Sequence, residues 1–329
     1  MLMHYIRRRH AQFISEIKSN EISIIEKFRY VGIIFILVAW FLLSLDVLIF
    51  HRVSYLSIPM WVSLFWKFVG ALIFYLPIAI FSILYKGAKE TCCYLWPNKP
   101  WFVISRGIIG VGTLFALTLS IRECSTIENT IIFSSEAIIV PLILKLLLKN
   151  KIKAAIWIGI IIGFVGVSWT YFGGDNLSFI NKGGMYSFIG AVGMAILIVM
   201  TSYMVKNDPP LRIAFFQIVI GVVCATIGAS ITSTWVKLPF QEITLLLISG
   251  FFYSTALFLF LDAFYYTESY IIGMLSFSLV GFYEISNVIL NIPQKREIIG
   301  PSLILIVIGG LIVILSSYHL NKKKSWIKL

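Results

Sequence analysis

The sequence predicts an all-α membrane protein of about ten transmembrane helices, arranged as two inverted five-helix repeats. Of its 329 residues, 59% are hydrophobic and only 13% are charged, which is more apolar surface than a soluble protein of this length can bury. Apolar stretches of about 20 residues, the length that crosses a bilayer core, recur from Tyr30 almost to the end of the chain. Landmark residues of the first half also recur in the second half.

The apolar stretches fall into two groups of five. The first repeat, residues 30–172, holds predicted spans at 30–50, 60–85, 101–121, 126–148 and 153–172. The second repeat, residues 183–320, holds predicted spans at 183–205, 211–231, 242–261, 269–291 and 298–320. Basic tails flank the repeats at 1–29 and 321–329, and the first tail is either a helix lying on anionic lipid or a disordered segment.

The distribution of lysine and arginine predicts the orientation in the membrane. An even number of spans places both termini on one side, and most of the 27 basic residues lie in the tails or in segments on that same side. Because positively charged segments stay in the cytoplasm, both termini are predicted to be cytoplasmic. The net charge of +12 therefore reflects topology rather than a nucleic-acid partner.

The repeat becomes visible when the chain from Gly107 onward is moved by 143 positions, so that it starts at Gly250. Gly166 then coincides with Gly309, and the polar breaks between spans coincide as well. Each repeat holds five spans, an odd number, so the second repeat enters from the opposite face of the membrane. Such inverted repeats are typical of secondary transporters.

Several local patterns resemble the drug/metabolite transporter superfamily, in particular its ten-span EamA-type members. The patterns are Lys99-Pro-Trp-Phe-Val-Ile-Ser-Arg106-Gly107 opening the third span, Pro141 in the fourth span, and Gly159 with Gly166 in the fifth span. Lys67 stands where many members have arginine, and the turn at 148–151 lacks the glutamate that is common there. The resemblance implies a ten-helix carrier of a small metabolite.

Within that superfamily, the segment Trp40-Phe-Leu-Leu-Ser-Leu-Asp46-Val-Leu and the region of Arg106 and Gly107 resemble the S-adenosylmethionine carriers of intracellular bacteria. This resemblance adds S-adenosylmethionine to a list of candidate substrates that also includes amino acids and related amines. The expected location is the inner membrane of a bacterium.

Glu136 is the first candidate for a substrate site, because an ionisable side chain at mid-bilayer costs about 2.5 to 3.5 kcal/mol on insertion scales. It lies near the middle of the fourth span beside Ser135, with Asn129 one heptad earlier. These three residues are predicted to contact substrate or a proton inside the bundle. Alternatively, Glu136 is a protonated residue that bonds to a neighbouring helix.

A second polar stripe lies in the ninth span, where Asn287 follows Glu284 on the same helical face. Both residues are predicted to contact substrate, or else to fix helix packing through hydrogen bonds. Aromatic residues could also stack on a planar substrate, and the candidates are Trp40, Trp66, Trp157, Tyr253 and Tyr283.

Asp46 and Lys67 lie a few residues inside neighbouring ends of the first two spans. At similar depth they are predicted to pair. A buried ion pair is weak evidence for stability, so the pair is either structural or a gate that opens when substrate or a proton replaces one partner.

The preferred hypothesis is a secondary transporter with a small-molecule substrate, membrane lipid around it, and a coupling proton or an exchanged metabolite as partner. The sequence has no GxxxxGKS/T loop, so an ion gradient or exchange is expected to drive it, as a monomer or homodimer. No cofactor or metal is predicted, because the cysteines lack metal-ligand spacing. The alternatives are a membrane-embedded lipid-modifying enzyme, for which the four scattered histidines form no cluster, and a channel.

Overall fold

The structure is a computed structural model and describes residues 21–55, 58–86, 96–124, 126–147, 152–169, 181–289 and 304–316. In these ranges the chain forms α-helices and no β-strand. The helices are α1 (Glu21–Tyr55), α2 (Met60–Lys86), α3 (Pro100–Glu123), α4 (Thr126–Phe133), α5 (Glu136–Leu147), α6 (Ala154–Trp169), α7 (Lys182–Met204), α8 (Pro210–Ile231), α9 (Phe240–Ala263), α10 (Ser269–Leu275), α11 (Ser278–Ile289) and α12 (Ile304–Ser316).

Each predicted span coincides with one helix or with a pair of helices. In the described part of the chain, seven helical segments are apolar and long enough to cross a membrane, and three further apolar segments are shorter. The predicted all-α membrane fold is therefore confirmed. Both ends of the first span differ, because α1 begins at Glu21 and ends at Tyr55. Residues 21–29 of the predicted tail therefore continue the helix of the first span, whereas the first twenty residues lie outside the described ranges.

Proline and asparagine set where several helices begin. Pro100 and Pro210 open α3 and α8, and Pro239 precedes α9; proline favours the first turn because its missing N–H is not needed there. The side chain of Asn181 caps α7 by accepting a hydrogen bond of 2.6 Å from the N–H of Gly184. These local signals place the helix starts within a few residues of the predicted boundaries.

Two spans are each broken into two helices, a feature that the sequence analysis did not predict. The break between α4 and α5 lies at 134–135, and the break between α10 and α11 lies at 276–277, so the shift of 143 residues superposes them to within one position. At each break a serine hydroxyl donates to a carbonyl of the preceding turn, Ser134 to Thr130 at 2.7 Å and Ser276 to Gly273 at 2.6 Å. Such bonds help a membrane helix to tolerate irregular backbone.

Helices of the two halves pack in equivalent pairs. Helix α1 packs along α9 as α7 packs along α3, α2 packs against α9 as α8 packs against α3, and α1 contacts α11 as α7 contacts α5. In each case, moving the helix of the first half forward by 143 residues and its partner back by 143 residues gives the equivalent contact. Two structurally related halves are expected to pack in this way.

Glycines bring the central helices into backbone contact. A Cβ at Gly250 would overlap the backbone oxygen of Lys67, and a Cβ at Gly70 would lie 2.6 Å from the backbone oxygen of Leu247. Helices α2 and α9 therefore touch without intervening side chains, as small residues allow in membrane bundles. Gly159 and Gly309 form a similar crossing between α6 and α12.

The outer surface of the bundle carries large apolar side chains at the middle of its helices. Examples are Ile108, Ile161, Ile189 and Ile227, each more than half exposed. Exposed apolar surface of this extent is expected to face lipid. Polar side chains such as Ser63 and Thr113 lie instead in the interior of the bundle.

Adding a methyl group to Gly250 is expected to destabilise the protein by about 1 to 3 kcal/mol, because the new Cβ forces α2 and α9 apart. Thermal unfolding of purified Gly250→Ala in detergent measures this loss. The matched control is Gly112→Ala in α3, where a Cβ would meet no atom within 4 Å. Equal stability of the two variants would contradict the close contact of α2 with α9.

Candidate functional site

A cavity lies between the helices of the two halves. Helices α1, α2, α3 and α4 of the first half line it, together with α7, α8, α9 and α11 of the second half. Its wall on α3 is one helical face that runs from Arg106 through Gly110 and Thr113 to Ile121. Because a helix rises 1.5 Å per residue, this face spans about 22 Å along the bundle.

An ion pair joins α1 and α2 inside the cavity. Lys67 Nζ lies 2.5 Å from Asp46 Oδ2, and the two side chains are only 3% and 5% exposed. The other carboxylate oxygen of Asp46 accepts a hydrogen bond of 2.5 Å from the hydroxyl of Ser249 on α9. The Lys67 ammonium also lies 4.4 Å from the ring centroid of Phe50 and 4.7 Å from that of Tyr253, and aromatic faces stabilise a desolvated cation.

Arg106 is a further buried cation of the cavity, on α3, with 2% of its surface exposed. Its Nε donates to Thr201 Oγ1 at 2.9 Å, and its Nη1 donates to Gln217 Oε1. Both acceptors are neutral, and no carboxylate in the described ranges pairs with the guanidinium. Gln217 in turn donates to the hydroxyl of Tyr253 at 2.7 Å, whose ring contacts Lys67. One polar network thus connects Arg106 with the ion pair.

Three predicted site residues, Asp46, Lys67 and Asn129, line the cavity. Asn129 Oδ1 is buried and has no hydrogen-bonding partner among the residues that the structure describes. Of the predicted aromatic candidates, Trp40 and Tyr253 lie in the wall.

Glu136, Ser135 and Tyr283 lie outside the cavity wall. Glu136 is the first residue of α5, is fully buried, and has no hydrogen-bonding partner for either carboxyl oxygen within the described ranges. The hydroxyl of Ser276, at the break of the other broken span, lies near the carboxyl but donates to Gly273. Glu136 therefore lies between the two broken spans and not among the cavity residues.

Glu284 and Asn287 belong to α11. Their side chains lie outside the part of the chain that the structure describes. The predicted polar stripe of the ninth span therefore stays a prediction.

The sequence analysis missed Arg106, Thr201 and Gln217 as members of a site. Arg106 lies near the start of the third span, where a basic residue also fits the cytoplasmic end of a membrane helix. The signal that was available is the presence of polar side chains one or two turns inside an apolar helix, where lipid would penalise them.

A comparison with known protein families finds a match for the part of the chain that contains Asp46, Lys67 and Arg106. Residues 30–172 match the model of the EamA-like transporter family. These residues belong to that family. The EamA-like region contributes the three buried charges of the cavity, and the second half contributes the hydroxyl and amide groups that hold them. EamA-like proteins form a transporter family, and the long apolar helices of the described ranges make the chain an integral, multi-pass membrane protein.

One solved crystal structure covers 90% of this chain and 99% of its own length, with a TM-score of 0.69 and 16% sequence identity. At this identity the likeness shows a shared fold alone. The likeness includes most of the chain beyond the EamA-like region, so the second half shares in that fold. No curated protein sequence matches the chain.

Removing one member of the Asp46–Lys67 pair is expected to destabilise the protein by about 3 to 5 kcal/mol, the cost of isolating a buried charge. Lys67→Met leaves the Asp46 carboxylate with the Ser249 hydroxyl as its remaining partner. The double variant Asp46→Leu with Lys67→Met removes both charges and is expected to recover most of the loss.

Thermal unfolding in detergent measures the single and double variants of the pair. Lys99→Met, at an exposed lysine, controls for the removal of a surface charge and is expected to unfold like the unaltered protein. A double variant as unstable as the single variant would contradict an isolated buried charge as the cause of the loss.

Proposed function

We propose that the protein is a secondary carrier that moves a small amphipathic metabolite through the central cavity by alternating access. The observation that carries this proposal is the polar network that extends from Arg106 to Asp46 inside an apolar bundle. Ionisable groups inside a membrane are costly and mark substrate or ion pathways. Transporters built from two repeats place such groups at the interface between the repeats.

The lining of the cavity supports a substrate with an apolar body and a few polar groups. Small-molecule sites typically combine apolar walls with a few placed polar groups. Trp40, Phe133 and Phe260 contribute aromatic surface to the wall, and aromatic rings stack well on planar ligands. S-adenosylmethionine, amino acids and related amines are the candidate substrates.

The two halves, residues 30–172 and 183–320, are proposed to be inverted repeats related by a pseudo-twofold axis in the membrane plane. The equivalent helix contacts and the equivalent breaks support this proposal. The distribution of lysine and arginine supports cytoplasmic termini in a bacterial inner membrane. In this arrangement the Asp46–Lys67 pair, which ties α1 and α2 to α9, acts as a gate when substrate or a proton replaces one partner.

Counterflow in proteoliposomes tests the carrier function. Vesicles preloaded with unlabelled S-adenosylmethionine, phenylalanine or choline are expected to accumulate at least one of the labelled compounds transiently. Leu114→Trp places a bulky side chain in the cavity wall and is expected to abolish the accumulation, because the path is filled. Ile108→Trp, on the exposed face of the same helix, is the matched control and is expected to retain it.

Two results would contradict the carrier function. The first is equal exchange by the Leu114→Trp and Ile108→Trp variants, which would place the path elsewhere. The second is turnover of lipid by folded protein that exchanges none of the compounds, which would favour the membrane-embedded enzyme.

Glu136 is proposed to bind and release the coupling proton, or to meet a cationic group of the substrate. Its carboxyl has no partner among the described residues, and an ionised carboxylate would be costly there, so the acid holds its proton in this state. Glu136→Gln keeps the volume and removes the exchangeable proton. Uptake driven by a pH gradient is expected to be lost, whereas counterflow, which needs no net proton movement, is expected to continue.

Parallel measurements of gradient-driven uptake, counterflow and thermal unfolding distinguish these roles of Glu136. Glu123→Gln, at the exposed end of α3, is the control for removal of a carboxylate. An unaltered pH dependence in Glu136→Gln would show that Glu136 only contributes to packing.

A further inference from the structure

We infer that Arg106 binds a carboxylate group of the transported molecule, so that the substrate is a monocarboxylate with an apolar or aromatic body. This inference rests on the proposed transport function. It adds which chemical group the cavity recognises and which residue recognises it.

The first argument is the balance of charge in the buried part of the described chain. Lys67 lies 2.5 Å from the carboxylate of Asp46, and Arg212 lies 2.5 Å from that of Asp208. Arg106 has no such partner in the described ranges, so its charge in the cavity is not compensated. An unpaired buried charge costs several kcal/mol, and a guanidinium does not avoid this cost by losing its proton. One negative charge on an occupant would compensate it.

The second argument is the set of donors that Arg106 leaves free. A guanidinium has five N–H groups, and the contacts to Thr201 and Gln217 account for two of them. Its Nη2 has no acceptor among the described residues, although the side chain lines the cavity. Free guanidinium N–H groups are the donors that carboxylates bind with strong, charge-assisted hydrogen bonds.

The third argument is that the guanidinium is held in position by its neighbours. Thr201 donates its own proton to the Leu197 carbonyl at 2.6 Å, which leaves the hydroxyl oxygen as an acceptor for Arg106. The amide of Gln217 is oriented by its bond to Tyr253. Gly110 leaves room for this amide, since a Cβ there would lie 3.0 Å from Gln217 Nε2. A donor that is already positioned binds its acceptor at a lower entropic cost.

The lining of the cavity defines the rest of the substrate. The Asp46–Lys67 pair is neutral as a whole, so one negative charge on the substrate balances the charge of Arg106. A dianionic phosphate would bring a second negative charge that no cation compensates. The wall around the network includes Trp40, Leu257 and Phe260, and these side chains favour an apolar or aromatic body.

Binding of matched ligand pairs to the purified full-length protein tests the inference. The pairs are phenylalanine with phenethylamine, and S-adenosylmethionine with its decarboxylated form; phenyl phosphate is the third probe. In each pair the acid is expected to bind about 10- to 100-fold more tightly, the range for a hydrogen bond to a charged group. Ligand-induced shifts in thermal unfolding measure the affinities without any need for transport.

Variants of Arg106 then assign the preference to this residue. Arg106→Gln is expected to lose the preference for the acid by weakening acid binding while amine binding is unaffected, and Arg106→Lys to retain part of it, because lysine keeps the charge without the fork of donors. Arg52→Gln, at an exposed arginine near the end of α1, is expected to keep the full preference. If Arg106→Gln does not fold, the ligand pairs on the unaltered protein and Arg106→Lys provide the test.

The inference is overturned if the acid and the amine of each pair bind equally, if no carboxylate binds, if phenyl phosphate binds more tightly than the carboxylates, or if the preference survives in Arg106→Gln. Failure of the transport function gives a different result. Carboxylate binding that depends on Arg106, together with absence of counterflow, would refute transport and leave the carboxylate site standing.

Discussion

The guanidinium of Arg106 and the ion pair of Asp46 with Lys67 lie inside a membrane bundle, where ionised side chains are costly unless protein groups replace water. The replacement groups come from different helices: Thr201 from α7, Gln217 from α8, and Ser249 from α9. Six helices must therefore converge on one region before these charges are tolerated. This requirement explains why both halves contribute to one cavity.

Close helix contacts make that convergence sterically feasible. The polar atoms of neighbouring helices reach hydrogen-bonding distance only if the backbones approach closely, and glycine permits this approach. Gly250 lies against the backbone of Lys67, one residue after the serine that bonds Asp46. Gly110 serves the other end of the network by leaving space for Gln217. The glycines and the polar groups thus act together, and neither set is explained by packing alone.

The two broken spans connect the cavity with the region of Glu136. Asn129 and Phe133 precede the first break and line the cavity, and Leu279 does so just after the second break. Glu136 follows the first break directly and lies where α5 packs on α10. A movement of either broken span would therefore displace residues of the cavity wall and residues around the buried carboxyl. This arrangement supports the proposal that a proton at Glu136 is coupled to a substrate in the cavity.

The sequence by itself determined the membrane fold, the approximate position of the spans and the depth match of Asp46 with Lys67, because span length, helix starts and depth are local properties of the chain. It did not determine the surroundings of Arg106, whose partners lie 95 and 111 positions away. Equal depth in the membrane does not say which helices touch. Tertiary structure also decided that Glu136 lies outside the cavity wall. Glu136 directly follows the break at 134–135, which the sequence marks only by two serines. Helix–helix contacts at glycines select the partners, and those contacts exist only once the bundle has formed.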